Sequence, residues 1–152
     1  MATQQSMEER NVDLVRRFVA EVVNERRYER IPEFFSPEYV RHDPAVAGDA
    51  RGPERFEETV RAFHAGFPDE EMVVDDVFAA GDKVCLRYTV TGTHTGEFMG
   101  MEPTGEPVEM TAIAVHRIGE DGTVAETWVN YDSLGLMEQI GAVPPRDEPT
   151  AE

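Results

Sequence analysis

GDKVCLRYTVTGTHTGEFMG at residues 81–100, PTGEPVEMTAIAVHRIGEDGTVAETWVNYD at 103–132 and SLGLMEQIG at 133–141 decide the fold. Three runs in this stretch alternate apolar and polar residues, the period-two signature of strands with one buried face. Glycine-rich turns join them, and the last run ends in Trp128, Tyr131 and Asp132 ahead of a short amphipathic helix. A carboxylate delivered by the last strand of a curved sheet, among aromatic neighbours, is placed to act as an acid or base at the mouth of an apolar pocket. Asp132 is therefore the first candidate for chemistry.

Outward from this stretch, strands are predicted over Met72–Ala80, Lys83–His94, Val108–Ile118 and Thr123–Tyr131. A terminal helix follows over Leu134–Ile140, with Gly141 as its C-cap. Thr95–Pro107 is rich in glycine and proline and reads as a loop or flap. Toward the amino terminus, Ser6-Met7-Glu8-Glu9 has capping-box spacing. Val12, Val15, Phe18, Val19, Val22 and Val23 then recur at helical spacing, which predicts a first helix over about 7–24. Arg27–Phe35 reads as a second, short helix broken near Pro37, and Glu38–His42 as a brief extended segment. Gly52-Pro53 opens a third helix, proline being suited to the first helical position. Phe56, Val60, Phe63 and Phe67 form its apolar stripe and Pro68 closes it.

Helices followed by a meander of about four strands define a segregated α+β class. A strongly bent, mostly antiparallel sheet wrapped around the long helix would enclose a cone-shaped cavity. The 152 residues suit one domain, expected over 7–143, with a flexible stretch at 1–6 and a disordered acidic tail at 144–152. The 40% hydrophobic content is enough for a core. No apolar run reaches the roughly eighteen residues of a membrane span, and the polar amino terminus lacks a signal core, so a cytoplasmic location is expected.

Several chemistries are set aside by composition. The lone Cys85 rules out an internal disulfide and a cysteine-based zinc site, and reads as a small buried hydrophobe. Histidines 42, 64, 94 and 116 lack the local spacing of a metal site, so no metal is expected. No phosphate-cradling loop or nucleophile elbow is present, and no cofactor is expected. The glycine-rich flap is not a nucleotide loop, because no helix follows it.

Thirty-one acidic residues against fourteen basic ones leave a formal net charge of -17. Such a surface repels phosphate backbones and anionic membranes, which argues against nucleic-acid or membrane partners. Lys83 is the only lysine, the other basic residues being arginines. A high-salt cytosol, in which screening relieves carboxylate repulsion, is one expectation for this composition; ordinary acidity is the other.

An N-terminal helix, YVRHDP, a Gly-Pro helix ending in FPD, GDKV, TGTHTGEFMG, PTG, the strand pair HRI-x-x-DG-x-V-x-E-x-W and YD-x-LGLMEQIG occur here in that order. From about Glu9 to Val143 this pattern resembles the SnoaL-like polyketide cyclases (ester cyclases), members of the nuclear transport factor 2-like (cystatin-like) fold. The resemblance implies a cone-shaped α+β barrel and an intramolecular aldol cyclisation of a polyketide ester, with neither metal nor organic cofactor. One carboxylate would remove a proton from a carbon flanked by carbonyls and then protonate the new alkoxide, its pKa raised by a water-poor setting.

On the same resemblance Asp132 is the position for that carboxylate, His116 a pocket histidine assisting the substrate oxygen, and His42 a polar pocket residue. Phe18, Phe63, Tyr88, His94, Trp128 and Tyr131 complete the candidate substrate contacts. Simpler roles stand beside these: Asp132 as a helix cap, His116 as a hydrogen-bonded core residue, His42 as part of a turn held by Asp43, His94 as a turn-satisfying group. His116 and Trp128 are expected to share the inner face. Ketosteroid isomerisation and epoxide hydrolysis are relatives on the fold, the latter requiring Arg87 or Arg117 to face inward. A small-molecule-binding protein without turnover is the alternative from another class. The outer sheet face is expected to form a homodimer.

The high-salt reading makes a direct prediction. Thermal unfolding monitored by circular dichroism should show a melting temperature that rises between dilute buffer and molar potassium chloride; a salt-independent value would leave ordinary acidity.

Overall fold

Ser6 accepts a hydrogen bond from the Glu9 amide at 3.1 Å, and this N-cap starts α1, Met7–Phe18. The computed structural model describes residues 6–46 and 48–145; most of the flexible stretch 1–6 and the disordered tail 144–152 expected from the sequence lies outside the described residues. α1 does not continue as an α-helix to residue 24. It widens into a π-helical stretch, Val19–Asn24, which keeps Val19, Val22 and Val23 buried. Arg26, with φ at 62°, ends the helical segment.

The expected second helix is shorter than its sequence suggests. A 3₁₀ turn at Tyr28–Arg30 leads into α2, Ile31–Phe34, and β1 already starts at Phe35 and runs to His42. The register of β1 shifts between Phe35 and Val40, so Pro37 falls where the ladder is interrupted and its missing N–H is tolerated. A two-residue strand, β2 (Ala50–Arg51), precedes α3, Pro53–Gly66, which opens on Gly52-Pro53 as predicted. Then come β3 (Glu71–Ala80), β4 (Lys83–Thr93), β5 (Pro107–Ile118), β6 (Val124–Tyr131) and α4 (Ser133–Gln139).

The sheet has six strands in the order β2-β1-β6-β5-β4-β3. Its meander β3-β4-β5-β6 is antiparallel, and β1 lies parallel to β6 with Arg41 opposite Thr127 and His42 opposite Trp128. That parallel pairing was not anticipated, because no local pattern announces a partner more than eighty residues away. α1, its π-helical extension and α3 cover the inner face. Alternation gives that face Val84, Leu86, Tyr88 and Val90 from β4 and Met110, Ala112, Ala114 and His116 from β5, all buried.

The outer face carries the other register. Phe78, Cys85, Val115, Trp128 and His42 are successive cross-strand partners, forming a row across the sheet. Cys85 is therefore half-buried on the outer face rather than a core residue. The segment between β4 and β5 is a flap pinned by a Phe98–Met101 bridge. It passes so near α3 that a Cβ on Gly96 would lie 1.8 Å from the Ala65 carbonyl oxygen, so only glycine fits there. Among the described residues no helix is long and apolar enough to cross a membrane.

Candidate active site

The inner face and the helices line a narrow, half-open cavity of about 70 Å³. Phe18 and Val23 from the first helical segment, Phe56, Val60 and Phe63 from α3, and Met72, Leu86, Val90, Met110, Ala114 and Val129 from the sheet make its wall apolar. Into this lining project Arg41, Thr59, Glu70, Tyr88, His116 and Tyr131. A mainly apolar cavity with a few convergent polar groups is the usual form of a small-molecule site.

The polar groups have distinct charge states. Glu70, 8% exposed, is the single carboxylate in the wall among the described residues. Burial pushes its pKa up to about 7, partly countered by the Arg26 cation. Burial pushes His116 down to about 3, with the Arg41 charge adding to the effect, so the ring is neutral at physiological pH. Its Nδ1 is hydrogen-bonded to Thr127 Oγ1 at 2.8 Å, and Phe18 meets it edge-on at 5.3 Å. Tyr88 is pushed up to about 12 by burial, and Tyr131 is raised by burial and then by Asp43. Both tyrosines thus keep their protons. Arg41 is buried with only a loose pairing to Asp43 at 3.9 Å, and its Nε lacks a hydrogen-bond partner. The cavity therefore offers one proton acceptor, Glu70, and several donors for a substrate oxygen.

The structure places Phe18, Phe63, Tyr88, His116 and Tyr131 in this cavity wall. It places the other candidates elsewhere. Asp132 is exposed and caps α4, its Oδ1 accepting a hydrogen bond from the Gly135 amide at 2.9 Å, while its own amide bonds Thr111. The strand has ended before it, so its side chain turns to the helix and not into the cavity. Trp128, 37% exposed, lies on the outer face: it pairs with Val115, whereas His116 pairs with Thr127, so His116 and Trp128 face opposite ways.

His42 is likewise on the outer face. Its ring stacks on Trp128 at 5.4 Å and bonds Glu126 at 2.6 Å and Asp49 at 2.8 Å, carboxylates that raise its pKa. His94 is fully buried beneath the flap, with Nδ1 held by Thr104 Oγ1 at 2.9 Å and its ring against Phe67. Arg87 and Arg117 point outward, paired with Asp76 and Glu126. Among the described residues no group of three or more His, Cys, Asp or Glu side chains is arranged to hold a metal ion.

Glu70 and Arg41 were missed by sequence reasoning. Glu70 is the middle of the acidic run Asp69-Glu70-Glu71, which looks like solvated loop. Asp69 instead binds Thr93 through its amide and hydroxyl, and Glu71 is exposed. Arg41 alternates with Tyr39 on β1, so the inward register of that strand was the available signal.

Residues 13–140 match the SnoaL-like polyketide cyclase family, and the chain belongs to it. Aklanonic acid methyl ester cyclase AcmA of Streptomyces galilaeus is 29% identical over 138 residues, covering 88% of this chain and 92% of the relative. Among solved structures, a Jannaschia sp. CCS1 protein superposes with a TM-score of 0.83 at 25% identity, covering 95% of this chain and all of that one. IdmH of Streptomyces antibioticus superposes with a TM-score of 0.75 at 33% identity, over 86% of this chain and 98% of its own. The fold is accordingly the nuclear transport factor 2-like α+β fold.

The buried carboxyl couples stability to pH. Folded Glu70 keeps its proton to about pH 7 while a solvated glutamate releases it near 4.5, so folding binds an extra proton between those values. Its contribution to stability therefore falls as pH rises from about 4.5 to 7. His64, lowered to about 4, acts in the opposite direction, losing stability as pH falls through 6.5 toward 4. In urea titrations, Glu70→Gln should exceed wild type by about 2–3 kcal/mol at pH 8 and converge with it below pH 4.5. A pH-independent difference would mean that Glu70 is ionised normally.

Proposed function

We propose that this protein is a cofactor-free acid/base enzyme that cyclises a polyketide ester, or a related carbonyl compound, by an intramolecular aldol reaction. The observation that carries this reading is the one carboxylate of the cavity wall among the described residues, buried in an apolar lining beside un-ionised tyrosines and a cation. Membership of the family and the likeness to a methyl ester cyclase support the substrate class.

In this reading Glu70 takes over the role first expected of Asp132. Its carboxylate removes a proton from a carbon between two carbonyls, and the enolate carbon bonds to a ketone carbon of the same molecule. The resulting alkoxide then takes the proton back from Glu70, so no oxidant, reductant or external acid is consumed. Arg41, Tyr88 and Tyr131 donate to the enolate and alkoxide oxygens, donors that are most effective where water is excluded. His116, neutral, serves as a fixed hydrogen-bonding partner for the substrate rather than a proton donor of its own. Phe18 and Phe63 supply flat apolar contact for the rings being closed.

The test is turnover of a polyketide methyl ester of the aklanonic or nogalonic acid type, followed by mass spectrometry and chiral chromatography. General acid/base groups contribute about 10²–10⁴-fold, so Glu70→Gln should lose at least about 100-fold in kcat while retaining ligand binding. Wild-type kcat/KM should rise with pH through about 7, the ionisation of Glu70. Asp132→Asn should stay within a few-fold of wild type. Loss in Asp132→Asn with Glu70→Gln unaffected would restore the carboxylate role to Asp132. Ligand stabilisation without turnover in every variant would make the protein a small-molecule binder.

We also propose a homodimer through the outer sheet face. Phe78 is 60% exposed and Ile113 50%, and they lie on the same face as the Cys85-Val115-Trp128 row. Light scattering should give twice the chain mass of 17.1 kDa, reduced by Ile113→Asp; the chain mass itself at all salt concentrations would refute the dimer.

A further inference from the structure

Glu70 is not isolated on the side away from the cavity. His64, on the apolar side of α3 four residues after Val60, is 6% exposed, and its Nε2 lies 3.5 Å from Glu70 Oε2. Both atoms are buried and neither has a hydrogen-bond partner, so each faces the other at a separation just beyond a normal N–H···O bond. On the other side of the ring, Nδ1 shares a hydrogen bond with the Tyr28 hydroxyl, and the Tyr28 ring is covered by the Arg61 guanidinium at 4.1 Å. Tyr28, half-buried, thus connects the cavity carboxylate to the rim of the protein through one imidazole.

A neutral imidazole has one donor and one acceptor nitrogen. Burial, aided by the Arg26 charge, pushes His64 down to about 4, so the ring is neutral through the working pH range. If the Tyr28 hydroxyl donates to Nδ1, the ring proton must be on Nε2, where it faces Oε2 of Glu70. The other tautomer would set a lone pair against a carboxylate. Other charged or titratable groups around Glu70 are Arg26, which also reaches the Glu70 carbonyl at 3.5 Å, Tyr88 from β4, the flanking Asp69 and Glu71, and Arg41, His116 and Tyr131 of the cavity wall.

We propose that Tyr28 and His64 are positioning residues for Glu70: Tyr28 selects the Nε2–H tautomer, and His64 directs that N–H at Oε2, leaving Oε1 for the substrate proton. The proposal rests on the reading of Glu70 as the acid/base group and adds what orients it. The ring acts as a dipole rather than a counter-ion, so it stabilises the carboxylate without adding a further charge to the cavity wall, which already holds Arg41.

Ligand-free protein is sufficient for the test, which separates it from any failure of turnover. Long-range ¹H–¹⁵N spectra should show His64 as the Nε2–H tautomer above pH 8. The Glu70 side-chain carboxyl, assigned by its loss in Glu70→Gln, should titrate in ¹³C spectra with a midpoint that His64→Phe raises by about one pH unit, since an N–H donor to the ionised form is removed. His64→Gln, whose amide can still offer an N–H, should move it less. Tyr28→Phe should mix the two tautomers and shift the midpoint part of the way. An Nδ1–H ring above pH 8, or a Glu70 midpoint that neither His64→Phe nor Tyr28→Phe moves, would overturn the proposal. Should His64→Phe fail to fold, the wild-type tautomer and Tyr28→Phe decide it.

Discussion

Two hydrogen bonds between Asn24 and Met72 join the end of the first helical segment to the start of β3. Asn24 Nδ2 donates to the Met72 carbonyl at 2.9 Å, and its Oδ1 accepts from the Met72 amide at 2.8 Å. One side chain thereby satisfies both backbone groups of a residue at the sheet edge, which water or another strand would otherwise have to do. The π-helical stretch and the positive φ of Arg26 bring this about by setting Asn24 against the strand. Arg26 then donates to the Pro68 carbonyl, so the connection carrying Glu70 is held from the same place. The helix lies across the sheet at that edge, and the cavity is the space left beneath it.

Burial does different work on each polar group of that cavity. It holds Glu70 near neutrality and strips His116 and His64 of charge, while the tyrosines keep their protons. The cost of charge in an apolar surrounding thus separates one adjustable proton acceptor from a set of fixed donors. The cost is borne by the fold as lost stability, the common condition of sites that carry buried ionisable groups. Outside, the large excess of carboxylates is handled differently: exposed pairs such as Arg87 with Asp76 and Arg61 with Glu57 are screened by water and contribute little individually.

The antiparallel meander and the starts of α1 and α3 were legible because each rests on a local rule. Alternation marked β4 and β5 as strands, Pro53 marked the start of α3, and the Ser6 cap marked that of α1. Phe18, Phe63, Tyr88 and Tyr131 were candidates as aromatic residues and His116 through the family resemblance, and the structure sets all five in the cavity wall. The limit of the rule is seen at Trp128 and His116. Each is aromatic and sits in a clear strand, yet the pairing of Val115 with Trp128 puts them on opposite faces. Strand identity was readable; relative register between strands was not.

From the sequence alone came the α+β class, the order of the meander and a strongly acidic composition, because these follow from period and from residue counts. Tertiary structure decided that β1 pairs in parallel with β6, that Asp132 caps a helix, and that Glu70 alone among its acidic neighbours is buried. The physical reason is the same throughout: a carboxylate's role depends on whether water, a helix amide or an apolar wall surrounds it. That surrounding is assembled from segments far apart in the chain.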